Sequence, residues 1–138
     1  MVAKRIRSVC DEYDAIARLG GDEFAISIER EGGRLEIEEF VTQLSAELGR
    51  PYNLLGSSAR CSASIGVRLF DAFTPDSETL LKHADLALYQ AKSAGRAGWC
   101  MFTPDLELKA RQRRELEDDL QRALENNELV VYLSLIHI

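Results

Sequence analysis

The stretch Arg18-Leu19-Gly20-Gly21-Asp22-Glu23-Phe24 decides how the chain folds. Two adjacent glycines permit positive φ at a tight turn, and they stand between two short β-prone runs, 15–19 and 24–28. The segment therefore reads as a β-hairpin with two carboxylates, Asp22 and Glu23, at its tip. Backbone without side chains at Gly20 and Gly21 lets a bulky anionic ligand come close, with Mg²⁺ between ligand and acids. An ordinary Gly-Gly hairpin with solvated acids accounts for the same four residues equally well.

Working outward, Val2, Ile6, Val9 and Tyr13 recur at helical intervals, so the chain is expected to open inside an amphipathic helix. After the loop Glu31-Gly32-Gly33-Arg34, the positions Ile37, Phe40, Val41, Leu44 and Leu48 trace a second helical stripe. It stops at Gly49 with Pro51 just beyond. Residues 59–70 alternate well enough to predict one long strand, with a short strand before it at 52–55. Gly66 within it signals a bulge or a close backbone approach. Thr74 reads as an N-cap with Pro75 at the first helical position of a third helix. That helix has Leu80, Leu81, Ala84, Leu88 and Ala91 on one face and ends at Gly95. Residues 99–102 make a closing strand. Pro104 separates it from a charged stretch, about 105–125, whose narrow seam of Leu116, Leu120, Ala123 and Leu124 suits a connecting helix. Residues 129–133 look like a buried strand whose partner is not in this sequence.

The 138 residues are 46% hydrophobic and 29% charged, which fits one compact domain with a real core and disfavours wholesale disorder. Lys and Arg total 17 against 23 Asp and Glu, a formal charge of −6, so no global basic field exists to hold a nucleic-acid backbone. Phosphate recognition has to be local. Cys10, Cys61 and Cys100 match neither a disulfide framework nor a metal knuckle, which points to a reducing, cytoplasmic setting. Cys61 and Cys100 suit small apolar core positions. His83 and His137 lack metal-ligand spacing. No apolar run approaches the ~20 residues of a membrane span.

With Phe24 and the flanking strands included, the hairpin resembles the signature of GGDEF domains, the diguanylate cyclase family. The resemblance continues at Ser64-Ile65-Gly66-Val67. It continues again at Ala84-Asp85-Leu86-Ala87-Leu88-Tyr89-Gln90-Ala91-Lys92, followed by Gly95-Arg96, and so covers about residues 2–103. It implies an α/β (α+β) fold of the nucleotidyl-cyclase type, with an antiparallel-rich central sheet flanked by helices. It also implies condensation of two GTP molecules into cyclic di-GMP, each 3′-hydroxyl attacking the other nucleotide's α-phosphate with loss of pyrophosphate. The implied cofactor is Mg²⁺ or Mn²⁺, held by Asp22 and Glu23, with Glu23 also helping to deprotonate the attacking hydroxyl. Gly20 and Gly21 would give the nucleotide room. Lys92 and Arg96 would grip the terminal phosphates. On spacing alone the last two, four apart, project from one side of a helix end, where interaction with the helix dipole explains them as well. Each domain holds one GTP, so the family needs a homodimer for catalysis.

In the family pattern a strand, a phosphate loop with another metal-binding Asp, and a helix that reads guanine come first. Here they would lie before Met1, so the first strand is expected to be missing and the chain alone to be inactive. An inhibitory product-binding R-x-x-D element would fall at Asp11-Glu12-Tyr13-Asp14, where Asp11 stands in place of Arg. An acid there repels product phosphates, so no inhibition is expected through it. Arg18 either orients the hairpin or is a surface strand residue. Asp85 either pairs near the nucleotide or makes a structural polar contact. The segment from Arg114 to Tyr132 resembles the linker helix and first strand of an EAL domain, the cyclic di-GMP phosphodiesterase barrel. The expected organisation is a partial GGDEF domain over 1–103, a linker helix over 104–127 and the start of an EAL domain over 128–138, with 134–138 departing from the EAL pattern. The partners implied are GTP, a second copy and an EAL domain, with no nucleic acid. A non-catalytic GTP-binding GGDEF module that regulates an EAL phosphodiesterase is the alternative. A folded remnant with an exposed, association-prone sheet edge is the third.

Overall fold

The computed structural model describes residues 1–54, 56–70 and 76–132. In chain order the elements are α1 (Val2–Val9), β1 (Ala15–Gly20), β2 (Glu23–Ser27), α2 (Gly33–Gly49), β3 (Tyr52–Leu54), β4 (Ser57–Ala59), β5 (Ile65–Val67), α3 (Ser77–Ser93), β6 (Trp99–Met101) and α4 (Pro104–Glu125). The fold is a mixed α+β arrangement, with four helices and small sheets among the described residues. Residues Met1–Thr103 form one compact unit, and a second begins at Pro104.

α2 organises the first unit. Its stripe buries Ile37, Val41, Leu44 and Leu48, which serve two apolar clusters. Leu44 and Leu48 pack with Ile6 of α1, and Ile16, Phe24 and Ile26 of the hairpin lean on this group. Ile37 and Val41 pack with Val67 of β5, flanked by Trp99 and Met101 of β6. At its start Glu36 accepts the Gly32 N–H at 2.8 Å, taking up a donor that the first turn leaves free. At its end Arg5 of α1 donates to the carbonyls of Glu47 (3.1 Å), Arg50 and Pro51 (2.5 Å). The same guanidinium lies 3.5 Å from the centre of the Tyr52 ring. One cation thus satisfies orphan carbonyls, complements the helix dipole and covers an aromatic face.

Among the described residues the strands pair as three two-stranded ladders. β1 and β2 pair antiparallel from Ala15↔Ser27 to Gly20↔Glu23, with an irregularity between Arg18 and Gly20. β3 and β4 pair antiparallel across Gly56, whose φ is +90°. β5 and β6 are parallel, joined through α3, with Ile65 N–H on Gly98 O at 2.9 Å and Phe102 N–H on Val67 O at 2.7 Å. The single strand expected over 59–70 is therefore wrong. Ser57–Ala59 folds back on Tyr52–Leu54, while Ile65–Val67 takes Trp99–Met101, and residues 60–64 lie in no ladder. Alternation shows a face and says nothing of which ladder will satisfy the backbone. The short strand expected before it is present as Tyr52–Leu54; Leu55 lies outside the described residues.

α3 packs on β5 and β6. Gly66 makes this possible, because a Cβ there would come within 2.0 Å of Ala84 O and 2.4 Å of Leu88 N. The close backbone approach expected of that glycine is what is seen. Asp76 caps the helix by accepting the Thr79 N–H at 3.0 Å, and this bond holds its carboxyl below the ordinary carboxylate value. Thr74 and Pro75, read from sequence as the cap, lie outside the described residues. The buried residues of α3 are Ala87 and Ala91, while Leu81 is 50% exposed and off the expected face. Tyr13 likewise lies beyond the end of α1 and is 90% exposed.

In the second unit α4 carries ion pairs within its own surface: Arg111 with Glu115 (3.1 Å), Arg113 with Glu117 (2.7 Å) and Arg122 with Asp119. It stops in a Schellman arrangement, with Glu128 N–H on Ala123 O (2.9 Å), Asn127 N–H on Leu124 O (3.2 Å) and Asn127 at φ +56°. Residues 129–132 form no strand and are exposed, against the expected buried strand; Leu133 lies outside the described residues. No helix among the described residues is long and apolar enough to cross a membrane.

Candidate functional site

The hairpin tip is built by the glycines. Gly21 has φ +49°, a left-handed conformation that a side chain would resist, and nothing lies within 4 Å of where a Cβ would sit on Gly20 or Gly21. Asp22 and Glu23 follow, both exposed, and no side-chain hydrogen bond or ion pair among the described residues engages either of them. Arg18 donates through Nε (3.0 Å) and NH2 (2.6 Å) to the carbonyl of Gly21, so of its two readings the structure supports the one in which it orients the hairpin. An open groove of about 820 Å³ runs along this hairpin, with Lys4 and Arg7 of α1 and Arg18, Gly21, Asp22 and Phe24 of the hairpin among its walls. Three cations thus share a groove with one of the two tip acids.

Lys92 sits in the last turn of α3 and Arg96 beyond it, both exposed. The expected helical i,i+4 relation does not apply, because α3 ends at Ser93 with Ala94 as its cap. Gly95 (φ +118°), Arg96 (φ +62°) and Ala97 (φ +57°) then form a left-handed run that turns the chain into β6. No hydrogen bond or ion pair among the described residues joins Lys92 or Arg96 to the acidic tip. Asp85 is exposed on α3. No group of three or more His, Cys, Asp or Glu side chains among the described residues is placed to hold a metal ion. Mg²⁺ is often held by one or two carboxylates plus substrate phosphates, and the adjacent pair Asp22 and Glu23 fits that donor set.

Sequence reading missed the pair that closes the other end of the hairpin. Arg30, just past β2, grips Asp14, just before β1, with NH1 on Oδ1 at 2.8 Å and NH2 on Oδ2 at 2.7 Å. Asp14 Oδ2 also accepts the Asp11 N–H at 2.8 Å, and Arg30 reaches the Asp11 carboxylate at 3.1 Å. The Asp14 side chain is 2% exposed and that of Arg30 12%. The hydrogen bond from Arg30 holds the Asp14 carboxyl below its ordinary value, despite burial that pushes the other way. The available signal was position: the two residues flank the open end of a hairpin recognised by its turn. Burial, with Asp14 close by, raises the Cys10 thiol, which leaves it a poor thiolate. Cys61 is exposed, contrary to its expected core position, because residues 60–64 join no ladder. His83 stacks on Phe102 with ring centres 4.0 Å apart.

A profile of the family described as diguanylate cyclase, GGDEF domain, matches residues 1–98. The chain is 38% identical over 132 residues to the bifunctional diguanylate cyclase/cyclic di-GMP phosphodiesterase MucR of Pseudomonas aeruginosa, covering 95% of this chain and 19% of that protein. It is 32% identical over 124 residues to the cyclic di-GMP phosphodiesterase PdeR of Escherichia coli, covering 89% of this chain and again 19% of the relative. Among solved structures it matches the isolated GGDEF domain of TpbB (YfiN) from Pseudomonas aeruginosa with a TM-score of 0.73 at 28% identity, over 80% of this chain and 64% of that one. An EAL/GGDEF domain protein from M. capsulatus matches with a TM-score of 0.67 at 32% identity, over 75% and 66% of the two chains. With a family profile spanning well over half its length and an acidic glycine hairpin folded as the sequence anticipates, the chain belongs to the diguanylate cyclase, GGDEF domain, family.

Proposed function

We propose that this domain serves as one half of a diguanylate cyclase, taking Mg²⁺-GTP and acting with a second copy to form cyclic di-GMP. The observation that carries the reading is the pair of exposed, unengaged acids, Asp22 and Glu23, on a glycine tip beside a cationic groove. In this reading Asp22 and Glu23 hold the metal, and Gly20 and Gly21 leave room for the nucleotide. Glu23 also takes up the proton of the attacking 3′-hydroxyl. Lys92 and Arg96 neutralise the terminal phosphates. When bound, Mg²⁺ offsets phosphate charge and lowers the pKa of the hydroxyl. A GTP substrate implies a cytoplasmic location, and the similarity to MucR, described as bifunctional, supports an EAL phosphodiesterase domain in the same protein.

Calorimetric titration of the chain with Mg²⁺-GTP tests the pocket, with Asp22→Asn and Glu23→Gln as controls. Metal-dependent binding that both substitutions abolish is expected, and binding indifferent to them overturns the assignment. Product analysis of the full-length protein as a dimer tests turnover. A second reading, a GTP-binding module that regulates a phosphodiesterase without turnover, is favoured by the match to PdeR, a relative described only as a phosphodiesterase. Binding without cyclic di-GMP formation selects it.

A further inference from the structure

The acidic tip has a conformational problem that the hairpin alone does not solve. The two turn residues are Gly21 and Asp22, and with glycine in the first of these places the peptide plane between them can turn over at small cost. The ladder gives little help, since its register is irregular between Arg18 and Gly20. Glu23 is held through its backbone opposite Gly20, but the side chains of Asp22 and Glu23 are tied to nothing among the described residues. A tip of this kind would present its carboxylates in many directions.

From the bonds at Arg18 we infer that this residue is a positioning residue for the acidic pair, acting through the carbonyl of Gly21. Two of its N–H groups converge on that one oxygen, at 3.0 Å from Nε and 2.6 Å from NH2. A peptide unit is planar, so fixing the Gly21 oxygen also fixes the Asp22 nitrogen and the direction in which its Cα leaves the turn. Arg18 faces Phe24 across the ladder, and Phe24 packs against the Ile6–Leu44–Leu48 cluster, so the clamp is anchored where the hairpin meets the core. Arg18, Gly21 and Asp22 line the same groove, which leaves the clamp on the side a ligand would approach. Lysine carries the charge but not the planar fork, so it reproduces the contact only in part. The link from tip geometry to metal binding rests on the function proposed above; the ordering of the tip does not.

Two readouts on the full chain, as wild type, Arg18→Lys and Arg18→Ala, keep these claims apart. Amide hydrogen exchange followed by NMR reads tip order. Arg18→Ala is expected to speed exchange at Glu23, the first ladder residue after the turn, by about three- to tenfold, the loss of one or two modest hydrogen bonds, with a smaller rise for Arg18→Lys and none at Ile16 and Ala17. Mg²⁺-GTP titration is expected to weaken in the same order. Unchanged exchange at the tip in both variants overturns the inference. So does exchange that rises equally along all of β1 and β2, or loss of folding in both variants, since either makes Arg18 a structural residue of the whole hairpin. A wild-type chain that binds no Mg²⁺-GTP while Arg18→Ala still loosens the tip counts against the proposed function and leaves the positioning role standing.

Discussion

Replacing Arg30 by alanine strands the Asp14 carboxylate in an almost fully buried position, with only the Asp11 N–H left to it. Breaking a buried pair from one side costs about 3 kcal/mol, so urea unfolding of Arg30→Ala should show a loss of that order. The same pair fixes a pH dependence. Asp14 sits below its ordinary value of 3.8 in the folded chain, chiefly through the Arg30 hydrogen bond. Its contribution is therefore complete above the unfolded value and disappears as pH falls through the lower folded value. Asp14→Asn should flatten the acid limb of the stability curve and leave the neutral-to-alkaline limb unchanged in shape. Because that carboxylate is already engaged and Asp11 adds negative charge, added cyclic di-GMP should leave the NMR amide shifts of Asp11 and Asp14 unmoved. Ala97 holds a φ of +57°, which disfavours any L side chain by about 1 kcal/mol; Ala97→Gly should raise the melting temperature by a few degrees.

For single elements, what could be read ahead of the structure divides along the range of the interactions. The helical stripe of α2 was legible because Ile37, Val41, Leu44 and Leu48 repeat within the element that buries them. The β1–β2 hairpin was legible because its turn is written in four consecutive residues. The fates of 57–59 and 65–67 were not, since their partners lie at 52–54 on one side and 99–101 on the other. Gly66 stood between: its sequence context signalled a close approach, and only the packing identified Ala84 and Leu88 as what it approaches. Those neighbours are backbone atoms, which cannot swing aside, so Gly66→Ala should cost about 3 kcal/mol and displace α3 from β5. Thermal unfolding reads the first effect, and a change in near-ultraviolet dichroism at Trp99 reads the second.

For the molecule as a whole, both apolar clusters are built from residues before Thr103. A chain ending at Thr103 should keep a cooperative thermal transition within a few degrees of the full chain's, checked by calorimetry. The candidate site was legible only where it is contiguous. Gly20 to Glu23 could be read as a unit, and Lys92 and Arg96 could be found but not oriented, because α3 ends before Arg96. For Arg18 an orienting role could be read but not its target, the Gly21 carbonyl, and Arg30 on Asp14 escaped notice, because an arginine's reach is long and what it reaches leaves no mark on spacing.

The left-handed turn at 95–97 is held between the last residue of α3, Ser93, and the bond from Ile65 N–H to Gly98 O. With so short a tether at both ends, the backbone at Arg96 has almost nowhere to wander. If an anion binds there as proposed, the entropy surrendered should be mainly that of the Arg96 side-chain rotamers, and the rate of capture should not be limited by slow loop rearrangement.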